Sequence, residues 1–145
     1  MMDDLKNQVE RFRFQLLLLA ESLDSYTHPI QVLVIKLDWG EKELNLAHDI
    51  FEKYNRHLEA GEKVSWIAFE GEFRDQLNIS YQGLKSVTLA FYRNGQWRNV
   101  CEAYARDHDV AEFWEINDRE PASYREFKGQ VQKQIHDVKR KLHYK

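Results

Sequence analysis

The opening of the chain constrains it most: Leu5, Val9, Phe12, Leu16, Leu19 and Leu23 recur at alternating steps of four and three. That is the a/d rhythm of a helix that packs lengthwise on another helix. Phe14, Leu17 and Leu18 add apolar surface beyond the narrow stripe a two-stranded coil requires. Such a helix has two outlets for this surface, the core of its own domain or further copies of itself. The six seam positions are the candidate oligomer interface.

Length and composition fit either outlet. A chain of 145 residues is one domain, long enough to bury a core without metal or disulfide support. Its 43% hydrophobic and 31% charged residues are those of an ordinary globular protein rather than a disordered one. With six glycines and two prolines, helices joined by short turns are expected. Cys101 is the single cysteine, so no intrachain disulfide can form, and a reducing cytoplasm is the expected location. No basic region precedes the first apolar run, so the start does not read as a signal peptide. The longest fully apolar stretch there, Leu16 to Ala20, is far short of a membrane span, and no membrane partner is expected.

The net charge of −3 is unevenly placed. Residues 101–118 carry six acids against Arg106 alone, whereas residues 119–145 carry eight Lys/Arg against three acids. An acidic block followed by a basic tail reads as self-neutralisation, within the fold or between subunits, or as an arm for a phosphate backbone. The first is preferred, because the basic residues gather near a helix C-terminus, where the dipole favours cations.

The pattern predicts an all-α, multihelical orthogonal bundle. The first helix runs from about Asp3 to Asp24 and is broken before Pro29. Ile30 to Leu37 is too apolar for periodicity to decide between strand and helix. Helix is favoured, because no second strand is evident to pair with it. Glu41 to Leu58 is amphipathic, and Ser65 caps a helix reaching Leu77. Residues 78–83 read as a turn, and Leu84, Val87 and Phe91 mark the next helix. Asn94-Gly95 reads as its C-cap, ahead of a helix with Trp97, Val100, Cys101 and Tyr104 on its inner face. Asp107 to Ser123 looks like an acidic, aromatic linker with a short helical turn. Tyr124, Phe127, Val131, Ile135, Val138 and Leu142 then mark a second long amphipathic helix.

Val9-Glu10-Arg11-Phe12, Tyr26-Thr27-His28-Pro29, Val32 to Lys36, Glu41-Lys42-Glu43, Asp49-Ile50-Phe51 and Phe91 to Gly95 carry a resemblance. Over roughly residues 5–105 the chain resembles the YhaI-like family of small helical Bacillus proteins of unknown function. The resemblance implies about five helices with subunits intertwined into an oligomer, a trimer or a dimer, and it offers no catalytic residues. Residues 106–145 have no counterpart in it.

The chain has no phosphate-binding glycine loop, HExxH or CxxC motif, and no catalytic residue, cofactor or metal is expected. Cys101 reads as a core residue. Asp107-His108-Asp109 with Glu112 has metal-type side chains, but their spacing fits none of the closed zinc patterns. Glu70, Glu72 and Asp75 read as a solvated face opposite Phe69 and Phe73. The pair of helices around Asn94-Gly95 has a helix-turn-helix outline, with Gln96, Arg98 and Asn99 opening the second. Against it, Ala90 to Gly95 is one residue longer than the usual spacing, and the acidic balance disfavours nucleic acid.

Four Trp, seven Tyr and eight Phe are many for this length, and large aromatics gather at interfaces as well as in cores. Trp39, Trp66 and Trp114 lie off the strongest core stripes, and with Arg140 of the basic tail they are the candidate partner-binding residues. The expectation is a non-catalytic, self-associating protein of bacterial or phage type that binds a protein partner as a regulator or inhibitor. The alternative is a nucleic-acid-binding regulator that uses residues 84–107 or the basic C-terminal helix.

Overall fold

In the computed structural model the described residues are 1–118 and 122–143, with side chains of the last helix described over 130–141. Pro121 and Lys145 lie outside the described residues, as do the side chains of Ser123, Tyr124, Phe127, Lys128 and Leu142. The described residues are all-helical with no strand. The helices are α1 (Met2–Ser22), α2 (Pro29–Leu37), α3 (Glu41–Glu59), α4 (Trp66–Leu77), α5 (Tyr81–Arg93), α6 (Arg98–Arg106), α7 (Trp114–Asn117) and α8 (Ala122–His143). A single 3-10 turn over Ala111–Phe113 leads into α7.

Local chemistry sets most of the boundaries. Pro29 opens α2 at a position whose N–H has no helical partner in any case. The Glu43 carboxylate accepts from the Gly40 N–H at 2.9 Å, fixing the start of α3. Ser65 Oγ accepts from the Ala68 N–H at 3.2 Å, and Ser80 Oγ from the Gly83 N–H at 3.1 Å. The second cap starts α5 at Tyr81, so the turn expected over residues 78–83 is shorter than the pattern suggested. At the far end of α5, Gly95 sits at φ 73° and the Gln96 N–H reaches back to the Phe91 carbonyl at 2.9 Å. This is the C-cap expected of Asn94-Gly95.

Aromatic rings from α3 to α7 make up much of the core. Phe51, Phe69, Phe73, Phe91, Tyr104 and Phe113 are all fully buried. Phe51 meets Phe69, Phe73 and Phe91 at ring-centre distances of 5.6, 5.5 and 4.8 Å, mostly edge to face. Phe113 reaches Tyr104 at 5.7 Å, and Ile116 is buried beside it. The segment expected to be a linker therefore belongs to the core over Val110–Ile116. Phe113 and Ile116 point inward, while Glu112 and Glu115 pair with Lys85 and Arg93 of α5.

The core is built without the seam. Ala20 is the one buried residue of α1, and this helix packs on α2 rather than into the aromatic centre. Among the described residues no helix is long and apolar enough to cross a membrane.

Candidate interaction surface

The α1 seam lies open along its length. Leu5 is 64% exposed, Val9 57%, Phe12 54%, Leu16 50% and Leu19 55%, while Leu23 at the helix end is half-buried. At about 100° per residue, Phe14 and Leu18 fall on the opposite side of the helix from the seam, and they too are 64% and 55% exposed. From Phe12 to Leu19 the helix is thus apolar nearly all round. Inside a folded protein that pattern belongs to a helix enclosed by neighbours.

The seam is thus a contiguous apolar stripe along one side of α1, with Phe14 and Leu18 open on the other, and a contiguous exposed apolar face of this kind marks an interaction site. One contribution of α1 and one of α2 enclose a groove of about 460 Å³. α1 supplies Val9, Phe12, Arg13, Leu16 and Leu17, α2 supplies Val34 and Ile35, and Asp38 and Trp39 follow directly after α2. Arg13 and Asp38 approach to 4.0 Å at its rim, both well exposed. Among its described side chains α8 also keeps an open apolar stripe, with Val131, Ile135 and Val138 from 37% to 57% exposed.

The candidate partner residues sit in four different settings. Trp39 is 9% exposed and belongs to the core cluster, with its remaining open edge at the groove. Trp66 is half-buried against Phe69 and Tyr104, and its indole N–H donates to Asp107 Oδ2 at 2.6 Å. Trp114 is 40% exposed on α7, and Arg140 is exposed on α8. Trp39 and Trp66 are held by packing at the edge of the core, and Trp39 also lines the groove.

A polar cluster that the sequence did not announce lies where α4, α5 and α6 converge. The Tyr104 hydroxyl donates to Glu70 Oε1 at 2.8 Å, and His108 Nε2 lies 3.3 Å from the same oxygen. His108 Nδ1–H donates to the Tyr104 carbonyl at 2.7 Å, so both ring nitrogens are engaged inward. Burial, and after it the Glu70 carboxylate, pushes the Tyr104 hydroxyl above the usual phenol range. Lys85 is buried, with Nζ 3.6 Å from Glu112 and 4.5 Å over the Tyr81 ring. Glu72 likewise takes a hydrogen bond from Lys53 at 3.0 Å. Glu70 and Glu72 are thus tertiary ties, a correction to the solvated face expected of them, while Asp75 is exposed.

His108 and Asp107 are committed to these contacts, and among the described residues no group of three or more His, Cys, Asp or Glu could hold a metal ion. Cys101 is fully buried, and burial pushes its thiol up to about 12. At the turn resembling a helix-turn-helix, Arg98 stacks 4.6 Å over the Tyr92 ring. Gln96 accepts from the Asn94 amide at 2.7 Å. No family model, curated protein or solved structure matches this chain.

Proposed function

We propose that this chain is a non-catalytic, self-associating helical protein of the cytoplasm that binds a protein partner, in the manner of regulators that occlude a target surface. The observation that supports it is the open α1 seam, too large and too apolar for a helix left in water. The resemblance to the YhaI-like family, with the intertwined dimer or trimer it implies, points the same way. In this reading assembly covers the seam, and Trp114 and Arg140 remain outward for a partner.

Size-exclusion chromatography with light scattering tests it. The expected mass is two or three times 17.4 kDa, falling to the monomer in Leu16→Asp/Leu19→Asp. A wild-type monomer would sink the proposal.

The exposed Lys133, Lys139, Arg140 and Lys141 of α8 support a second reading, a nucleic-acid-binding regulator. A salt-sensitive gel shift lost in Arg140→Ala would favour it, and an absorbance ratio free of excess at 260 nm would oppose it.

A further inference from the structure

Resting on the self-association proposed above, we infer that the groove between α1 and α2 receives α1 of a second copy, and that the two first helices run parallel. The argument comes from the edges of the seam. Lys6, Arg13 and Ala20 line one edge, and Gln8, Gln15 and Ser22 line the other. The first edge is the one turned toward α2, since Ala20 is buried and Arg13 lies 4.0 Å from Asp38.

In a parallel pair the edge of one helix faces the opposite edge of its partner. Arg13 then meets Gln8 of the second copy, and Gln15 of the second copy falls level with Ala20, which α2 already covers. That places Gln15 of the second copy beside Ile35 and Trp39, which line the groove. No like charges meet along either edge, and Leu5, Phe12 and Leu19 each face their own equivalents.

An antiparallel pair can also match all six seam residues, setting Leu5 against Leu23, Val9 against Leu19 and Phe12 against Leu16. It does so by bringing equal edges together, which places Arg13 against Arg13 at the two-fold axis. Like charges at contact repel, and the exposed ion pair with Asp38 at 4.0 Å offsets only part of that repulsion. The edge pattern therefore selects the parallel pair. The α2 wall gives the second copy's helix two surfaces rather than one.

Oxidative cross-linking of the full-length protein tests this, with Cys101 left in place because it is fully buried. Leu5→Cys alone should form a disulfide dimer in high yield, since parallel helices bring equivalent seam positions within disulfide reach. Leu5→Cys mixed with Leu23→Cys should give no mixed 5–23 dimer. A 5–23 dimer would show antiparallel helices and overturn the inference. An oligomer by light scattering that cross-links in neither experiment would show that something other than α1 fills the groove. A wild-type monomer would instead remove the self-association on which the inference rests.

Discussion

The guanidinium of Arg93 lies 3.9 Å over the ring of Tyr26, joining the last turn of α5 to the segment between α1 and α2. The same group grips Glu115 of α7, with Nε 3.1 Å from Oε2 and Nη2 3.0 Å from Oε1. It also reaches Ser25 Oγ at 3.5 Å. One planar cation thus ties together the root of α1, the end of α5 and the start of the C-terminal segment. Each contact uses a different part of it: the fork for the carboxylate, the face for the ring. How α1 is carried out from the core depends on this residue.

Arg93→Ala should therefore cost about 2 kcal/mol, because a half-buried Glu115 loses its partner while Tyr26 loses its cover. Arg93→Lys should recover only a minor part, since an ammonium neither forks nor stacks flat. Urea midpoints of the three proteins check this. An Arg93→Lys protein as stable as wild type would mean that charge alone matters at this position.

The Cys101 thiol should be inert to a thiol reagent at pH 8 in the native protein and react fully in urea. Burial raises it to about 12 in the fold, whereas an unfolded thiol ionises near about 8.5. Its contribution to stability is therefore complete below that lower value and is lost as pH rises toward the upper one. Tyr54 and Tyr104, both raised by burial, act in the same direction at higher pH. Wild type should lose more stability than Cys101→Ala between pH 7.5 and 10. Equal losses would assign the alkaline sensitivity to the phenols.

What could be read from the chain was what neighbours in sequence decide. Ser65, Ser80 and Asn94-Gly95 announce helix ends because the groups they satisfy lie within four residues. Phe113 and Ile116 were hidden, since four acids around them mask two anchors whose partners lie elsewhere in the chain. Glu70 and Tyr104, 34 residues apart, meet only once α4 and α6 have packed. The seam was legible as an apolar face, but periodicity names a face without saying what covers it. The groove needed the turn between α1 and α2, and no local signal gives that angle.

Phe113→Ala should cost about 3–4 kcal/mol, the usual range for removing a fully buried ring, although its sequence context reads as a loop. Trp114→Ala, at a side chain 40% exposed, should cost less than half of that. Denaturant unfolding of both variants decides between them. Similar small losses would return residues 110–116 to the status of a linker.

Leu16→Asp/Leu19→Asp should separate assembly from folding. Neither residue belongs to the core cluster, so at high dilution, where wild type is monomeric, the urea midpoint should shift by less than about 0.5 kcal/mol equivalent. Leu84→Ala, at a fully buried position, should lose about 2–5 kcal/mol at any concentration. At higher concentration the wild-type melting temperature should climb with protein concentration, because association stabilises only the folded form. The seam variant's melting temperature should stay flat. A seam variant that unfolds at every concentration would mean that α1 is needed by its own chain, and the open seam would then be covered from within.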